Sequence, residues 1–62
     1  MAETKRAMAE RHVREQEARI AEQREIISTL AAAGEPTVLA EQTLEIMQRF
    51  LAVIRADAAR YL

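Results

Sequence analysis

Only one place in this sequence argues against helix. Before Gly34-Glu35-Pro36 nothing opposes a helix from about Glu3 to Ala33, and nothing does from Thr37 to Leu62. A glycine just past a helix end supplies the left-handed backbone that a Cβ would penalise. A proline two residues on cannot continue that helix, yet its fixed φ suits the first position of a new one. The chain is therefore predicted to be all-α, an antiparallel two-helix hairpin with helices over about 3–33 and 37–62. Residues 1–62 make a single hairpin domain in this reading.

The first helix carries a narrow apolar seam. Val13, Ile20 and Ile27 recur at seven-residue intervals, and a companion series runs Ala9, Gln16, Gln23, Leu30. These are the a and d positions of a heptad repeat, β-branched at a and mostly polar at d. The rest of the surface is charged, with Glu10–Arg14 and Glu15–Arg19 spaced as favourable i,i+4 pairs. Leucine at d would stabilise more than Gln16 or Gln23, so both are expected at the edge of the seam with their amides in water. The alternative is that they are buried, hydrogen-bonded and fix register or partner. His12, beside the seam, reads as a surface or edge residue. Residues 1–8 are expected to overhang the second helix, where Met1 and Met8 have little to pack on.

The second helix is apolar over a wider arc. Leu44, Leu51, Ala58 and Ala40, Met47, Ile54, Tyr61 continue the heptad. Leu39, Ile46, Phe50 and Val53 extend the apolar face to roughly half the circumference at about 100° per residue. Folding the chain at the glycine so that paired residue numbers sum to about 70 or 71 aligns the two seams. Ile27 then lies beside Leu44, Gln23 beside Met47, Ile20 beside Leu51, Gln16 beside Ile54, Val13 beside Ala58 and Ala9 beside Tyr61. This pairing uses the whole stripe of the first helix and leaves Leu39, Ile46, Phe50 and Val53 as a predicted dimer interface. Two hairpins joined there would make a four-helix bundle.

Composition points the same way. A chain of 62 residues seldom buries enough apolar surface to stand alone without a disulfide, a metal or a partner. It has no cysteine and one histidine, so a disulfide is excluded and a structural zinc is not expected. Association remains. No apolar run approaches the roughly 18 residues that span a bilayer, and no signal-peptide core follows the amino terminus. With Met1 in place and cysteine absent, the expected setting is the cytoplasm. Residues 1–33 hold six basic and six acidic side chains, and residues 34–62 three and four. Neither half is a basic arm, so nucleic acid is not an expected partner, nor is a membrane surface.

No catalytic, cofactor-binding or metal-binding residues emerge. Glu22 and Glu25 form an E-x-x-E, which without a histidine reads as a solvated face. Ser28 and Thr29 have no base nearby. A single glycine cannot build a phosphate-cradling loop. A non-enzymatic chain is expected.

The run His12-Val-Arg-Glu-Gln-Glu-Ala-Arg-Ile20, followed by Gln23-Arg-Glu-Ile-Ile27, Leu30 and Gly34, resembles a group of short uncharacterised helical proteins found widely in alphaproteobacteria. Their shared core is H-V-x-x-x-E-x-R-I-x-x-Q-R-E-I-I, then a glycine turn and a second helix. The resemblance covers most of residues 12–62 and implies an intracellular bacterial setting, with no activity attached. Where that group often has Asp-Thr after the turn, this chain has Pro36-Thr37; the Thr37 hydroxyl is the expected cap of the second helix. The function expected is that of a homodimeric helical hairpin acting in protein–protein interaction or as a small regulatory module. The alternative is an RNA- or DNA-binding hairpin dimer using arginines of the first helix.

Overall fold

A computed structural model describes residues 2–61, of which 83% are helical. Helix α1 spans Lys5–Ala32 and helix α2 spans Val38–Ala59. They lie against each other as a hairpin measuring 47 × 22 × 13 Å. The long dimension follows from α1, whose 28 residues occupy about 42 Å at 1.5 Å per residue. The helical content falls below the nine-tenths implied by unbroken helices because α1 and α2 each start and stop short of the expected bounds 3–33 and 37–62.

At the start of α1, Thr4 is extended and its Oγ1 accepts a hydrogen bond from the Ala7 N–H at 3.0 Å. That satisfies one of the donors a helix leaves open at its amino end. An N-cap residue is itself outside the helix, so α1 begins at Lys5 rather than at Glu3. At the other end Gly34 has φ +71°. The Glu35 N–H donates to the Leu30 carbonyl at 2.9 Å and the Gly34 N–H donates to that of Ala31 at 3.1 Å. This is the paired closure of a Schellman turn, which the glycine makes possible.

The entry to α2 departs from expectation. Thr37 precedes the helix, but its φ of −112° and ψ of −1° leave its hydroxyl without a capping hydrogen bond. Side-chain caps need extended backbone at that position. Only the Thr37 carbonyl joins the helix, accepting from the Glu41 N–H at 2.8 Å. Pro36 sits one residue before Thr37 and not at the first helical position, because the Schellman turn takes Gly34 and Glu35 and leaves Pro36 in the connection. The far end of α2 closes at Ala59, and Tyr61 lies past it with its N–H on the Ala58 carbonyl at 3.1 Å.

The core is thin. Ala9, Ile20 and Leu51 are buried, together with Gln16. Val13, Ile27, Leu30, Leu44, Met47, Ile54 and Ala58 are half-buried along the seam. Tyr61, expected to close over Ala9, is exposed because it lies beyond α2. Among the described residues no large side chain is fully enclosed. Met8 is exposed, as an overhanging end requires, and Met1 lies outside the described residues.

Candidate functional site

The two seam glutamines are not edge residues. Gln16 is only 5% exposed and Gln23 is half-buried. The Gln16 Nε2 donates to the backbone carbonyl of Met47 at 3.1 Å, and the Gln23 Nε2 donates to that of Ala40 at 2.9 Å. Both donors and both acceptors are seven residues apart, so the heptad repeat produces two equivalent rungs. The expectation of water-facing amides fails for a geometric reason. Carbonyls of α2 point along its axis away from the turn, towards the layers in which the glutamine amides lie. Each carbonyl already accepts an i+4 N–H within α2 and has a second lone pair free. The seam can therefore bury an amide without orphaning a polar atom. Among the described residues no buried side-chain nitrogen or oxygen lacks a partner.

The surface left over is apolar and lies chiefly on α2. Leu39 is 79% exposed, Ile46 66%, Val53 64% and Phe50 52%. Val38 next to this row and Ile26 on α1 are also open; neither is marked by the heptads, because both fall outside the a and d series. The accessible surface of the chain is 4907 Å², whereas a compact monomer of 7.0 kDa presents about 4000 Å² on the usual scaling. The excess of about 900 Å² is close to the roughly 800 Å² that each partner contributes to a stable interface.

Phe50 also forms one wall of an open cleft of about 280 Å³, lined by His12, Glu15, Gln16, Arg19 and Ile54. His12 is exposed there. On the opposite side of the seam Arg55 reaches across to Glu17 at 3.0 Å, an ion pair that joins the helices. Its residue numbers sum to 72, whereas those of the two glutamine rungs, Gln16 with Met47 and Gln23 with Ala40, each sum to 63, against the 70 or 71 expected from the seams.

A charged cluster near the amino end has no counterpart in the heptad pattern. Arg11 holds Glu3 at 3.0 Å and Glu15 at 2.8 Å, so its guanidinium bridges two carboxylates. Hydrogen bonds from Arg11 keep the carboxyls of Glu3 and Glu15 below their ordinary value of 4.5. Those carboxylates in turn raise Arg11 above its ordinary value. Glu15–Arg11 is an i,i+4 pair, but the spacing of Glu3 gives no such signal because Glu3 lies before the helix. The expected partners Arg14 and Arg19 do not pair with Glu10 and Glu15; Arg6 takes Glu10 at 3.0 Å instead.

Glu22 and Glu25 line a shallow surface with Ile26, Thr29 and Leu30. Among the described residues there is no group of three or more His, Cys, Asp or Glu placed to hold a metal ion. Within the described residues no helix is long and apolar enough to cross a membrane. Comparison with protein-family models, with curated proteins and with solved structures gives no match to this chain.

Proposed function

We propose that this chain works as a homodimeric helical hairpin, a non-enzymatic protein–protein interaction or small regulatory module of the cytoplasm. The observation that supports this reading is the row Leu39, Ile46, Phe50 and Val53, left open on α2 after α1 has taken the other seam. Covering each of these half-exposed or more exposed side chains is worth about 1–2 kcal/mol, or roughly 4–8 kcal/mol for the row. That is comparable to the whole stability of a small domain. Only three apolar residues are buried among the described residues, so a partner covering the row would add substantially to a thin core. Two hairpins joined on this row form a four-helix bundle.

Sedimentation and thermal unfolding across a hundredfold range of concentration test the reading. A dimer at micromolar concentration, with a midpoint that rises with concentration, is the expected result. A well-folded monomer whose midpoint ignores concentration would overturn it.

The second reading is an RNA- or DNA-binding hairpin dimer. In its favour, Lys5, Arg14, Arg19 and Arg24 have no ion-pair partner among the described residues. Against it, Arg6 and Arg11 are neutralised by carboxylates, and 14, 19 and 24 occupy three different heptad positions rather than one stripe. Salt-dependent retention of RNA or DNA that Arg14→Gln/Arg19→Gln/Arg24→Gln abolishes would put this reading first.

A further inference from the structure

The open row of α2 is a second heptad seam in its own right. Residues 39, 43, 46, 50, 53 and 57 alternate spacings of four and three, the a/d rhythm, on a face displaced from the one that meets α1. From the turn outward they read Leu39, Thr43, Ile46, Phe50, Val53 and Asp57. The apolar d-type residues are symmetric about Ile46, with Leu39 seven residues before it and Val53 seven after. All three are exposed in the hairpin, at 79%, 66% and 64%.

Resting on the homodimer reading, we propose that the occupant of this seam is α2 of a second copy, running antiparallel, with the two-fold axis passing beside Ile46. Each Ile46 then meets Ile46 of the partner subunit, Leu39 meets the partner's Val53, and Phe50 meets the partner's Thr43. The last layer sets the largest side chain of the row against the smallest, which is how facing layers fill space. A parallel pair would instead stack Phe50 on its own copy, large on large. The patch is thus complementary to itself, as a closed two-fold contact demands. The chain as a whole exposes about 900 Å² more than a compact monomer of its mass, enough for one side of a stable interface.

The chain has no cysteine, so introduced thiols report without interference. Leu39→Cys and Val53→Cys are prepared separately, checked for dimerisation by sedimentation, and oxidised alone and as an equimolar mixture. The mixture should yield a covalent dimer, and neither variant alone should. Because both substitutions shorten the apolar row, Gln42→Cys and Arg49→Cys serve as a second pair, treated with a short bis-maleimide. They flank the seam at levels that face each other in the antiparallel arrangement, and they leave every apolar residue in place. Again only the mixture should cross-link. Cross-linking of each variant with itself and not in the mixture would overturn the antiparallel arrangement in favour of a parallel one. A sedimenting dimer that cross-links in neither pair would show that another surface makes the contact. Both of those results leave the homodimer standing, whereas an unmodified chain that sediments as a monomer at every concentration removes the homodimer and this arrangement together.

Discussion

Replacing Gln16 by leucine isolates the role of the buried rungs. The substitution removes one hydrogen bond, from the Gln16 Nε2 to the Met47 carbonyl at 3.1 Å. A neutral hydrogen bond is worth about 1 kcal/mol net. Leucine adds apolar carbon equivalent to about two methylenes over those glutamine already buries, or roughly 1.6 kcal/mol at a site that is 5% exposed. The Met47 carbonyl keeps its bond from within α2, so the 1–3 kcal/mol penalty for an orphaned buried group, to order of magnitude, does not arise. Gln16→Leu should therefore stabilise by about 0.5 kcal/mol. Gln23→Leu, half-buried, should be near neutral. Gln16→Ala loses the bond and leaves a gap, and should destabilise by about 2 kcal/mol. Urea unfolding at one fixed protein concentration reads all three. The double leucine variant should also lose uniqueness, sedimenting as more than one species, since nothing polar then opposes a slip of one heptad. A Gln16→Leu variant less stable by more than 1 kcal/mol, to order of magnitude, would refute the claim that the carbonyl is otherwise satisfied. A double variant that remains one species of the original size would refute the register role.

The turn, the caps, the row and the charges each allow a similar check. Gly34 has φ +71°, and a Cβ added there would meet nothing within 4 Å, so Gly34→Ala should destabilise by about 1–2 kcal/mol through backbone strain alone; an unchanged urea midpoint would contradict that. Thr4→Ala should destabilise by about 1 kcal/mol while Thr37→Ala, which loses no capping bond, stays within about 0.5 kcal/mol; equal effects in thermal unfolding would contradict the difference in caps. Phe50→Glu should dissociate the proposed dimer and largely unfold the chain by circular dichroism, and a folded variant of unchanged size would exclude Phe50 from the proposed interface. Glu3 and Glu15 should titrate below 4.5 by NMR, and Arg11→Gln should return both towards that value. Because their folded values are lowered, the stability they add is complete above about pH 4.5 and is lost as pH falls through those values.

The hairpin, its glycine turn and the open row of α2 are legible in the sequence because each rests on spacing. Two seven-residue series and one positive-φ position determine them. The burial of Gln16 and Gln23 is not legible, since their acceptors are main-chain carbonyls, which every residue of α2 possesses and no residue type advertises. The silent hydroxyl of Thr37 is equally hidden. Threonine there has the right chemistry for a cap, but its backbone, at φ −112° and ψ −1°, is not extended and its hydroxyl makes no capping bond. Arg11 has the spacing of an ordinary solvent-facing residue because half of its pairing comes from Glu3, outside the helix that sets the i,i+4 rule. Ile26 gives no signal for a different reason, lying outside the seam that defines the apolar face of α1.

The rungs of the hairpin have a consequence for how the two helices can diverge. The donor is a particular side chain on α1, but the acceptor on α2 belongs to the peptide unit and survives any exchange of Met47 or Ala40 that keeps the helix and the volume. Recognition through the rungs is thus one-sided. Changes at 16 or 23 have no compensating change available at 47 or 40, so paired substitution cannot record this contact as it records an ion pair or a packed layer. Along these positions α2 is free to be re-faced towards new partners while α1 continues to hold it in the same register.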